Sequence, residues 1–185
     1  VGIGWGTPLS ITAAIIFSFN HSVIKAAMLM LAGYIASRAS IKSAAFDIVT
    51  GVGKSLPAAG LLFFIGSLAL AGIPPTNGFV SKMTLFTSGL DAEEFWSLLF
   101  IGVTSIFTLI YTIRAFQRIW WLQPVGMENE PSPATTTGDN LLAPALLVLL
   151  ILILGIYADP LVATAQQTTA WLGDPAVYIQ AVLGG

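Results

Sequence analysis

Three basic residues stand where a chain of this hydropathy has little use for charge. Lys25 lies near the middle of an apolar run from Leu9 to Ser37, about 16 residues from one end and about 12 from the other. At 1.5 Å per residue it has no route to either membrane surface. Lys82 lies about eight residues from the outer end of a shorter run, roughly 12 Å deep. A lysine at mid-bilayer costs about 2.5 to 3.5 kcal/mol on insertion scales, and such residues mark ion pathways and proton relays. His21 stands one helical turn before Lys25, so the two share a face and can exchange a proton directly or through water. Asn20, Ser18 and Ser22 surround it. The alternative is that each lysine pairs with a carboxylate and fixes helix packing. No acid of this chain falls at membrane depth, so that partner has to come from another segment or subunit. A lone histidine often does no more than pack or hydrogen-bond, and the spacing to Lys25 is what sets His21 apart.

The elements that hold these residues follow from the punctuation between apolar runs. Pro74 and Pro75 remove two backbone donors and disfavour helix at Ile73 and Pro74, so the run from Leu56 to Ile73 has to break there. The chain resumes with Thr76, Asn77, Gly78, Phe79, Val80, Ser81, Lys82 and Thr84 and continues to about Leu90. Carbonyls and amides freed at the break cannot face lipid unsatisfied and are expected to line a wet cavity enclosed by protein. Broken helices of this kind place helix ends at transport sites. A simple proline kink is the plainer reading, and two adjacent prolines followed by Thr76, Asn77, Gly78 and a buried lysine argue against it.

Composition fixes the class. Of 185 residues 56% are hydrophobic and 9% charged, against roughly 25% charged in soluble domains, and the mean hydropathy is +0.86. The expected fold is all-α, a polytopic transmembrane helical bundle with one discontinuous, proline-broken helix. A transmembrane domain over 1–163 contains helices at about 9–37, 56–73 broken to 76–90, 95–120 and 141–158; an extracytoplasmic tail over 164–185 lies on the membrane surface. The basic residues support four crossings. With the loop from Arg38 to Ser55 inside, Arg38, Lys42, Lys54, Arg114 and Arg118 all fall on the cytoplasmic side, and the acidic turn at Asp91, Glu93 and Glu94 falls outside. Trp120 and Trp121 suit a headgroup belt, and Gln123 to Gly138 reads as a flexible loop.

Other chemistries are excluded or unsupported. Seven Lys and Arg against nine Asp and Glu, net charge -2, leave no basic face for nucleic acid. With no cysteine there is no thiolate metal site, iron-sulfur cluster or Cys nucleophile. No catalytic residue, metal site or cofactor is expected. Gly51-Val52-Gly53-Lys54-Ser55 imitates the end of a phosphate-binding loop, but Ile48 stands where that motif needs glycine. Asn20-His21-Ser22 matches a glycosylation acceptor that is meaningless inside a membrane helix. The opening Val1-Gly2-Ile3-Gly4 lacks an initiator Met and a basic leader, as expected of a continuation.

The string from Asn20 to Leu29, followed by Gly72-Ile73-Pro74-Pro75-Thr76-Asn77-Gly78-Phe79-Val80-Ser81-Lys82, resembles the antiporter-like subunits shared by Mrp-type cation/proton antiporters and respiratory complex I. In that family a His-x-x-x-Lys helix and a broken helix bearing a lysine form part of a hydrophilic axis that conducts protons. The resemblance carries those roles to His21, Lys25 and Lys82. The ending Ala176 to Leu183 is similar to that of D-type Mrp subunits, which favours Mrp over complex I. It covers about the last third of a full-length subunit, so a split gene or a fragment is implied. The partners it implies are the missing upstream part, the other subunits of a membrane antiporter complex, the lipid bilayer, protons and Na+, in the cell inner (plasma) membrane. The expected function is proton conduction along buried Lys and His residues in a cation/proton antiporter. Two alternatives stand beside it: a proton-pumping subunit of a complex I-like NADH-quinone oxidoreductase or membrane-bound hydrogenase, and a structural membrane scaffold.

Overall fold

The computed structural model describes residues 1–38, 50–53, 55–121 and 139–184. The loop readings at Lys42, Lys54 and 123–138 lie outside them. After a short 3-10 turn at Gly2–Trp5 come seven α-helices: α1 (Pro8–Arg38), α2 (Pro57–Ala71), α3 (Asn77–Asp91), α4 (Phe95–Trp120), α5 (Leu142–Ile156), α6 (Asp159–Leu172) and α7 (Pro175–Leu183). No strand occurs among the described residues. By length and composition α1 and α4 can each cross a membrane, and α5 with α6 passes the same test but bends by 78°.

Helix α1 begins at a reciprocal cap. The Thr7 amide donates to Ser10 Oγ and the Ser10 amide to Thr7 Oγ1, both at 3.1 Å, with Pro8 as the first helical residue. The helix is the hub of the bundle, touching α2, α3, α5 and α6. Its buried residues Ala13, Ile16, Asn20, Ile24, Ala27 and Leu31 recur at steps of three or four and trace one stripe. Val148 and Ile151 of α5 complete the core on that side.

Helix α4 lies against α2 and α3 and turns Phe100, Val103, Phe107 and Ile110 outward. Its end is fastened by aromatic contacts. Trp120 stacks on Phe116 with centroids 5.2 Å apart, meets Phe63 of α2 at 4.9 Å, and donates from Nε1 to the Leu56 carbonyl at 3.5 Å. Trp120 is therefore a core residue rather than part of an interfacial belt, whereas Trp121 is exposed. The segment after Asp159-Pro160 is helical and returns to the bundle: Ala165 and Thr169 of α6 are buried, and the Thr169 hydroxyl shares a 2.8 Å hydrogen bond with that of Thr12 on α1.

Candidate functional site

The break between α2 and α3 is built by glycine before proline takes part. Gly72 adopts φ +79°, its amide donates to the Ala69 carbonyl at 3.1 Å, and the Ile73 amide donates to the Leu68 carbonyl at 2.9 Å. That pair of bonds is a Schellman motif, which ends α2 at Ala71, two residues short of the reading from sequence. Pro74 and Pro75 follow in a cis linkage and are exposed. Thr76 then folds back on the turn, its hydroxyl donating to the Ile73 carbonyl at 2.7 Å. Gly78 lets α3 lie alongside the end of α2, for a Cβ there would sit 1.8 Å from the Ala69 carbonyl oxygen. On the other side Gly155 of α5 seats against the Pro75 and Thr76 backbone.

Side chains satisfy what the break exposes. Lys82 Nζ donates to the Ala71 carbonyl at 2.6 Å, placing an ammonium at the negative end of α2. Asn20 of α1 donates to the Asn77 carbonyl at 3.1 Å and to Ser81 Oγ at 2.8 Å, and Asn77 Nδ2 donates back to Asn20 Oδ1 at 3.1 Å. Ser81 Oγ donates in turn to the Asn77 carbonyl. Asn20 and Asn77 are fully buried, and Asn77 Oδ1 has no donor among the described residues. Asn20 thus turns from His21 toward the break.

His21, Lys25, Ser81, Lys82 and Gly78 line a cavity of about 590 Å³. His21 stacks on Phe17 with centroids 5.2 Å apart, and the charges near enough to act on it are those of Lys25 and Lys82. Lys82 is half-buried, while Lys25 is exposed. The far wall is α4, which contributes Thr104, Ser105, Thr108 and Tyr111. Sequence reasoning missed these four. Their signal was a run of hydroxyls at helical spacing on an apolar helix, which makes one polar stripe. The hydroxyls of Thr104, Ser105 and Thr108 donate to carbonyls one turn back, leaving oxygen lone pairs as acceptors. Thr84 is not brought to the cavity, since its hydroxyl closes on the Val80 carbonyl of its own helix. No group of three His, Asp or Glu side chains converges among the described residues.

A polytopic α-helical membrane subunit with a cavity beside a broken helix, mostly apolar but lined also by lysine, histidine and hydroxyl side chains, is the class these features define. The family model described as NADH:quinone oxidoreductase/Mrp antiporter, TM, matches residues 1–108. The chain belongs to this family. It is 34% identical over 184 residues to the D-type subunit of the Na(+)/H(+) antiporter of Bacillus subtilis (strain 168), covering 98% of this chain and 36% of that protein. It is 30% identical over 170 residues to the N-type subunit of the F(420)H(2) dehydrogenase of Methanosarcina mazei, covering 87% of this chain and 34% of that one. Among solved structures, the Mrp complex from Dietzia sp. DQ12-45-1b contains a similar chain, with TM-score 0.83 and 28% identity over 99% of this chain and 41% of that one. The chain therefore spans about a third of the length of the curated relatives it matches.

Proposed function

We propose that this chain is a proton-conducting part of a multisubunit Na+ (cation)/proton antiporter, in which protons pass along Lys25, His21 and Lys82. The reading rests on one observation: basic side chains of two helices open onto a single cavity whose opposite wall is a stripe of hydroxyls. Such a wall can order water between the carriers, and a bridging water serves a proton nearly as well as a direct hydrogen bond. Lys82 also sits on a helix-terminal carbonyl, where a proton gained or lost changes a charge-assisted bond. The chain acts within a larger subunit and beside sister subunits of the plasma membrane, and forms no covalent intermediate and holds no cofactor. The test is cation-dependent proton exchange in vesicles carrying the complete complex. Lys25→Ala and Lys82→Ala complexes that assemble normally are expected to lose it.

A second reading is favoured by the likeness to a subunit of an F(420)H(2) dehydrogenase: the same proton path driven by a redox enzyme. Copurification separates the two, because flavin and iron-sulfur subunits would accompany the chain in that case.

A further inference from the structure

Two of the three polar residues that tie α1 to α3 adjoin a candidate proton carrier. Asn20 precedes His21, and Ser81 precedes Lys82. The rest of the buried stripe of α1, Ala13, Ile16, Ile24, Ala27 and Leu31, makes non-directional contacts that tolerate small slides. The amide pair does not tolerate them, because three hydrogen bonds from Asn20 and Asn77 close at 2.8 to 3.1 Å in an interior where no solvent replaces a lost partner. Apolar residues of like volume would avoid that cost. The best-attested return for a buried polar pair is fixed register between helices.

We infer that Asn20, Asn77 and Ser81 form a positioning clamp that sets the separation of His21 on α1 from Lys82 on α3, and with it the pH range over which the pair works. The inference rests on the proton-path reading above. The titratable side chains that line the cavity are His21 and Lys25 from α1, Lys82 from α3 and Tyr111 from α4. Helices α2, α5 and α6 bring none to it. The interaction to be altered is therefore among few charges. At an effective dielectric of about 20, a slide of about 2 Å between two unit charges at close range moves an apparent midpoint by about half a pH unit.

The experiment uses the complete complex in vesicles, with Asn20→Leu, Asn77→Leu, the double variant and Ser81→Ala. Because the chain has no cysteine, spin labels at Met30→Cys and Met83→Cys, both outside the cavity wall, report the α1 to α3 distance independently of transport, provided the other subunits carry no reactive cysteine. The expected result is a broadened label distance in Asn20→Leu and an exchange-versus-pH profile displaced by about half a unit or more. The double variant should be no worse than Asn20→Leu, which by itself removes all three bonds, and Asn77→Leu, which removes only the one its side chain donates, should be milder. Ser81→Ala removes one interhelical bond, with the bond Ser81 makes to its own helix, and covers the case in which the leucine variants fail to assemble; its profile should move the same way by less. An unmoved pH profile in assembled Asn20→Leu or Ser81→Ala, with exchange still dependent on Lys82, overturns the clamp alone. Normal exchange in Lys82→Ala with the label distance unchanged overturns the proton path, and the clamp's role in it falls too.

Discussion

The ammonium of Lys82 donates a 2.6 Å hydrogen bond to the carbonyl of Ala71, the residue that ends α2. A charge of this kind in an apolar bundle requires a partner, and the partner here is a helix end. The terminal carbonyls of α2 lack amides of their own; the Schellman turn at Gly72 takes up those of Leu68 and Ala69, and Lys82 takes up that of Ala71. The broken helix and the lysine that follows it are thus one unit. Protonation of Lys82 strengthens the bond that closes the break, and loss of the proton weakens it.

The first prediction concerns the glycines that permit this closeness. Gly72→Ala introduces a Cβ at φ +79° and 2.4 Å from Lys82 Cδ, costing about 1 to 2 kcal/mol in backbone strain and displacing the lysine. Gly78→Ala and Gly155→Ala drive a Cβ into the backbone at Ala69 and Pro75 and should each cost about 1 to 3 kcal/mol. Gly4, with nothing within 4 Å, should accept alanine within about 0.5 kcal/mol. Thermal denaturation of the detergent-solubilised complex checks the series; equal tolerance at Gly78 and Gly4 would contradict the close packing.

The helical membrane class could be read from composition because lipid and protein interior make the same demand for apolar side chains. That equality hides the rest. Helix α1 is apolar on nearly all sides, so no amphipathic pattern tells which side faces protein, and the buried stripe through Asn20 emerges only when α3 is in place. Asn20 looked like a companion of His21 on its own helix; its partners are 57 and 61 residues away, and no local signal announces such a pairing. Trp120 resembled an interface anchor because it is paired with Trp121 at the end of an apolar run, yet Phe63 and Phe116 enclose it while Trp121 is exposed. The polar tail suggested a segment without a place in the bundle, while Thr169 meets Thr12 across 157 residues. The lysines, the histidine and the broken helix were legible because charge and proline are conspicuous in a chain this apolar. The α4 hydroxyls were not, since threonine and serine are ordinary in membrane helices when they bond to their own backbone.

The second prediction separates the two α1 carriers. Lys25→Ala removes a charge that nothing else on α1 replaces and should abolish exchange or reduce it severely. His21→Ala should be milder, because the space left beside Phe17 admits a bridging water. Exchange rates on assembled variants in vesicles decide; wild-type rates in Lys25→Ala would end its role in the relay.

The third prediction is topological. From the distribution of basic residues the loop from Arg38 to Ser55 is expected inside and the turn after α3 outside. Single cysteines at Ser40, which lies outside the described residues, and at Ala92 in the cysteine-free chain should react with an impermeant reagent from opposite faces of the membrane. Reaction from the same face would overturn the four-crossing map.

The last prediction is that Lys82 works as a base that gives up its proton and not as a fixed charge. Lys82→Ala leaves the Ala71 carbonyl without its donor, which should cost about 1 to 3 kcal/mol of stability along with exchange. Lys82→Arg can still donate to that carbonyl, so stability should be largely kept, but guanidinium holds its proton at any working pH and exchange should fall nearly as far as in Lys82→Ala. Lys82→Glu retains a titratable group while inverting the field at Lys25 and His21 and setting a carboxylate against the negative end of α2. Partial exchange with a displaced pH optimum is expected there, with lower stability than in Lys82→Arg. A lysine that merely holds the break closed would give the opposite order, Arg restoring exchange and Glu failing. Measuring melting and pH-dependent exchange on the three variants at equal assembly separates these outcomes, and full exchange in Lys82→Arg would show that no proton leaves this site.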